Sequence, residues 1–142
     1  MNNRHMKKNN YFKIGAIAYI ALGLMHLISQ MSADGLSENV LQTLAVMKTT
    51  TFDFMGQHDL MQFYTGFSIT MGFMLIAFGL QAFTIKQPAK SVIIVNMFAS
   101  LIASVLAIVY FHPLAYTFLL FATAFFTISL IIKDKESNEK NR

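Results

Sequence analysis

The stretch VIIVNMFASLIASVLAIVYF, residues 92–111, decides the fold. It contains no Asp, Glu, Lys or Arg. As a helix rising about 1.5 Å per residue, it is long enough to cross about 30 Å of hydrocarbon. In lipid, every backbone amide must find its partner within the segment, which selects a helix over an open strand. The strict alternation of a barrel strand is also missing. Working outward, three more stretches read the same way, at about 12–31, 60–83 and 114–132. The expected fold is an all-α membrane protein: a four-transmembrane-helix antiparallel bundle forming a single membrane domain over residues 1–142.

The bulk composition agrees. Hydrophobic residues make up 55% of the chain and charged residues 13%, about half the usual charged share. The mean hydropathy is +0.50. There is no cysteine, which removes disulfides, thiol redox chemistry, iron–sulfur clusters and thiolate metal sites. A net charge of +4 could suggest nucleic acid, but the basic residues stand beside the apolar runs and read as orientation signals. The first apolar run also resembles a signal peptide. It is long, however, and is followed by more membrane-like sequence, so it is read as an uncleaved span.

Charge placement gives the expected orientation. Arg4, Lys7, Lys8 and Lys13 precede or open the first span. Lys86 and Lys90 lie between the second and third, and Lys133, Lys135, Lys140 and Arg142 follow the fourth. Of the 11 basic residues only Lys48 falls on the other side, which carries Asp34, Glu38, Asp53 and Asp59. For short loops the basic side is cytoplasmic, so both termini are expected inside a bacterial inner membrane. The polar tails, 1–10 and 134–142, lack apolar periodicity and are expected to fray.

Gln87-Pro88 and His112-Pro113 mark tight turns. The connection after the first span is too long for a turn. Within it Leu36, Val40, Leu41, Leu44 and Met47 recur at helical spacing, which predicts an amphipathic outer helix over about 36–48. Asp34 is the expected cap. That helix is expected along the outer membrane surface or over the bundle mouth. Residues 49–56 read as irregular chain dipping its phenylalanines into the interface.

Two groups of polar residues draw attention. Inside the spans, Ser68 and Gly72 share one face, with Gly79 further on. Gly15, Tyr19 and Gly23 form a stripe on the first span, and Asn96, Ser100 and Ser104 form one on the third. Small residues allow close helix approach in lipid, and an amide there needs a partner; for Asn96 a span-two hydroxyl or Gln81 is expected. At the outer ends, His26 and Gln30 close the first span, His58, Asp59 and Gln62 open the second, and His112 follows the third. Imidazole and carboxylate can bind metals or relay protons, yet both are also at home at membrane interfaces. His26 stands apart because it lies inside an apolar run, where an ionisable residue is a functional candidate or is bonded to a neighbouring helix. The ten methionines are scattered and read as packing residues, not a copper site.

Ile14-Gly15 through Gly23-Leu24-Met25-His26 resembles the first span of an uncharacterised family of small bacterial four-helix inner-membrane proteins, which carry Gly-Leu-x-His near the outer end of helix one. Residues 61–72, with Tyr64, Gly66-Phe67-Ser68 and Gly72, resemble that family's second-span signature. This chain has Thr70-Met71 where the family often shows Ser-His. A weaker likeness is to DoxX-like membrane proteins, which are linked to quinone or thiol redox partners. The first resemblance implies the four-helix architecture and adds little chemistry.

The expected function is that of a non-enzymatic accessory or interaction protein, contacting a membrane-protein partner, a homo-oligomer or a small ligand through a polar extracytoplasmic mouth. One alternative is a redox protein holding a metal, haem or quinone at His26, Gln30, His58, Asp59, Gln62 and His112. Another is an oligomeric small-solute transporter. The lipid bilayer is the one partner common to all three.

Overall fold

The computed structural model of the chain describes residues 3–31, 36–53 and 56–132. Among them the order is α1 (Asn3–Met31), α2 (Glu38–Thr49), β1 (Thr51–Asp53), β2 (Gln57–Asp59), α3 (Leu60–Thr84), α4 (Lys90–Tyr110) and α5 (Pro113–Ile131). The fold is helical apart from one short hairpin. Four helices, all but α2, are long and apolar enough to cross a membrane. Their length and composition suggest a multi-pass membrane protein.

Helix ends follow local chemistry. Gln87 and Pro88 separate α3 from α4, because proline disfavours helix in the residue before it. Pro113 sits at the first position of α5, where its missing N–H costs nothing, and His112 Nδ1 accepts the Leu114 N–H at 3.3 Å. At α3, Asp59 Oδ1 accepts the Gln62 N–H at 2.7 Å, the geometry of an N-terminal cap. Ser37 stands at the cap of α2 and makes no side-chain bond there. The expected cap, Asp34, lies outside the described residues, as does the 134–142 tail.

Close contacts group the chain into two units. The first gathers Met1–Leu22 with Leu75–Arg142 and holds the buried core. Phe12 and Phe126 are fully buried, with ring centroids 5.2 Å apart. Ile93, Ala107, Leu119 and Ala122 complete the packing from α4 and α5. Two glycines make room for close packing, one against a backbone and one against a ring. A Cβ on Gly79 would lie 2.8 Å from the Ala16 carbonyl oxygen, and one on Gly15 would lie 2.7 Å from the Phe126 ring. Tyr11 faces Phe125, and Ser129 Oγ donates to the Lys8 carbonyl at 3.0 Å.

These last contacts bear on one expectation. Residues 3–10 of the polar stretch ahead of the first span, expected to fray, are helical as the start of α1. Lysine, methionine and asparagine set no hydrophobic period, but they do not break a helix, and docking through Lys8, Tyr11 and Phe12 holds this one.

The second unit is Gly23–Met74. A further correction falls here. The stretch expected to be irregular folds in part as the antiparallel hairpin β1–β2, with Thr51 opposite Asp59, Phe52 opposite His58 and Asp53 opposite Gln57. Gly56, at φ 132°, occupies a backbone region that a Cβ disfavours. The Leu60 N–H continues the ladder to the Thr50 carbonyl at 2.9 Å. Phe52 packs edge-on to Phe63, with centroids 5.7 Å apart, rather than pointing away from the protein. Phe54 lies outside the described residues.

Candidate functional site

The second unit holds the residue that the sequence singles out most sharply. His26 lies on α1, half-buried, and its Nε2 is 2.9 Å from Ser68 Oγ and 3.0 Å from the Ser68 carbonyl oxygen. Gly72, one turn along α3, makes the room: a Cβ there would lie 3.3 Å from His26 Cδ2 and still closer to Leu27. The pairing of Ser68 with Gly72, legible as small residues on one face, is thus the seat for His26 and Leu27.

Nε2 donates wherever it bonds to the Ser68 carbonyl, which only accepts, whereas its bond with the Ser68 hydroxyl runs in the direction that the tautomer sets. Either way the pair is a hydrogen bond between α1 and α3. Such a bond removes two polar groups from lipid at once.

The other outer candidates, Gln30 apart, have local contacts. His58 is exposed on β2, with its ring 6.4 Å from that of Phe52. Asp59 spends its carboxylate on the α3 cap, and Gln62 supplies the N–H. Gln30 is exposed at the end of α1. His112 belongs to the first unit and caps α5. Among the described residues, no three His, Asp or Glu side chains converge closely enough to hold a metal ion.

The first unit carries a polar stripe. Ile93, Asn96, Ser100, Ser104 and Ala107 are the buried residues of α4, spaced three or four apart along one face. Tyr19 OH donates to Ser100 Oγ at 2.8 Å, and Ser100 Oγ donates to the Asn96 carbonyl at 2.7 Å. Ser104 repeats the pattern onto the Ser100 carbonyl at 2.7 Å. The sequence marked Asn96, Ser100 and Ser104 but not Tyr19 as their partner. The available signal was a phenol in the middle of an apolar run, since a buried hydroxyl usually finds a bond.

Asn96 corrects an expectation. Its amide bonds neither a span-two hydroxyl nor Gln81, which is exposed. Nδ2 donates to the Val92 carbonyl of its own helix at 2.8 Å. Its Oδ1 is buried with no hydrogen-bond partner among the described residues. That orphan acceptor carries a desolvation cost of about 1–3 kcal/mol.

The amphipathic helix is present as α2, within two residues of its expected bounds. Leu44 and Met47 are half-buried, while Val40 and Leu41 on the same side stand open, and no α2 residue is buried. Comparison with protein-family models, curated proteins and solved structures finds no match to this chain.

Proposed function

We propose that the chain is an inner-membrane protein whose four long helices form an antiparallel bundle with both termini in the cytoplasm. It serves as a non-enzymatic accessory or interaction subunit, and its working surface is the extracytoplasmic segment around α2. The placement of basic residues supports the orientation, because all but Lys48 fall on one side of the four helices.

The observation that carries the interaction reading is the open apolar side of α2. Val40 is 41% and Leu41 53% exposed on a helix that otherwise touches its unit through Leu44, Met47 and the hairpin. An apolar face left open beside a folded hairpin suits a partner of matching apolar character. The polar groups of the spans support the same reading. His26, Ser68, Tyr19, Ser100 and Ser104 are engaged in hydrogen bonds that join or line helices, which accounts for polar groups inside apolar runs by packing.

Site-specific photo-crosslinking from position 41 tests this in intact cells. A single discrete protein adduct is the expected result. Adducts with lipid alone would show that α2 merely lies on the membrane.

A further inference from the structure

We propose that α2 is the seam of a dimer, on which a second copy of this chain docks antiparallel, with Glu38 against the partner's Lys48 and Leu41 against the partner's Ala45. The inference rests on the interaction surface proposed above and names its occupant. Glu38, Leu41, Ala45 and Lys48 follow one another at intervals of three, four and three residues, so they fall in one stripe along the helix. All four are exposed. Half-buried Leu44 and Met47 lie on a neighbouring face, so packing within the unit leaves the stripe open. Glu38 and Lys48 are the two charged residues of α2, one acid and one base. They stand about 15 Å apart along the axis, too far to pair within one copy.

The stripe is its own complement. Thr43 is the midpoint of Glu38 and Lys48, and also of Leu41 and Ala45. Turning a copy end for end about that midpoint sets acid on base and a large side chain against a small one, twice over. Those are the terms of a two-fold contact, in which one patch on both subunits matches itself. Leu41 serves as the knob, and the space over the partner's Ala45 as its hole. A parallel copy would oppose carboxylate to carboxylate and ammonium to ammonium, and would leave the two alanines facing a gap. A two-fold axis along the membrane normal carries a helix lying in the membrane plane onto an antiparallel mate. Two copies inserted the same way therefore meet in the favoured sense when α2 follows the surface, as its amphipathic sequence leads one to expect.

Lipid is a poorer occupant, because the stripe that would enter it carries a carboxylate at one end. The helix dipole accounts for less of the pattern. An acid in the first turn and a base in the last suit the dipole wherever they face, and nothing in that effect requires them to share a stripe with Leu41 and Ala45.

The experiment uses the full chain in membranes, where introduced thiols are unique because the sequence has no cysteine. Two differently tagged copies, one Glu38→Cys and one Lys48→Cys, are co-expressed and oxidised. A disulfide joining the two tags is the expected product. Either variant alone should give little, because like positions at the ends of the antiparallel seam stand about 15 Å apart, far beyond the roughly 4 Å between the Cβ atoms of a disulfide. Equal yields from the mixed and the single variants, or no disulfide at all, would overturn the proposal. Dimer affinity is then read by energy transfer between labelled copies in liposomes. Glu38→Lys should weaken it about tenfold, since the lost pair and the new repulsion are met twice across the axis. Lys48→Glu should do the same. The double variant should restore affinity, although its reversed charges oppose the helix dipole, and a double variant no better than the singles would overturn the pairing. The photo-crosslink at position 41 separates the dimer from the reading it rests on. An adduct of twice the chain's mass supports both. A discrete adduct with a different protein keeps the interaction surface and overturns the dimer, and adducts with lipid alone overturn both.

Discussion

At the scale of single residues, the polar groups in the apolar helices divide into those with partners and those without. His26 and Ser68 belong to the first group. A double-mutant cycle with His26→Ala and Ser68→Ala, read from reversible unfolding in detergent or bicelles, should give a coupling of about 0.6–1.7 kcal/mol, the range for hydrogen bonds between membrane helices. A coupling near zero would separate the pair. Asn96 is the opposite case, with Oδ1 unpartnered among the described residues. Asn96→Leu removes an unsatisfied acceptor at similar volume, so stability should hold or rise by about 1 kcal/mol. A loss of more than that would mean the carboxamide has a partner in the membrane. The sequence could name both residues, since each is a polar group inside an apolar run. It could not assign their bonds, because these depend on helix rotation: His26 meets Ser68 only because Gly72 leaves space, and Asn96 turns back to Val92.

At the scale of elements, close approach of backbones is the feature most open to test. Gly79→Val would press a branched side chain against the Ala16 carbonyl and the Ile20 backbone, neither of which can move aside. The expected destabilisation is about 1–3 kcal/mol by the usual cost of overpacking, measured as a shift in unfolding midpoint. Gly66→Val meets nothing within 4 Å and serves as the control. Gly56→Val should cost about 1–2 kcal/mol for a different reason, because valine resists the positive φ. The four long helices were legible from apolar length alone, and α2 from its spacing. The hairpin was not. Its strands are three residues each, too short for period-two alternation to register, and their pairing is fixed by Gly56 and by Phe52 packing on Phe63. The start of α1 was missed because hydropathy reports lipid contact, whereas Lys8 and Tyr11 are held by contacts to α5.

At the scale of the whole molecule, the central claim is that four helices cross the membrane with the basic connections inside. The absence of cysteine makes this directly measurable, because any introduced thiol is unique. Lys48→Cys lies in α2 and Lys86→Cys in the α3–α4 turn, on opposite sides of the proposed membrane. Both positions are exposed, so each thiol should react once reagent reaches it. Spheroplasts carrying either variant are treated with a membrane-impermeant maleimide before and after permeabilisation. Lys48→Cys should label at once and Lys86→Cys only after permeabilisation. Labelling of Lys86→Cys in intact spheroplasts, with Lys48→Cys protected, would contradict the orientation; immediate labelling of both would contradict the membrane crossing between them.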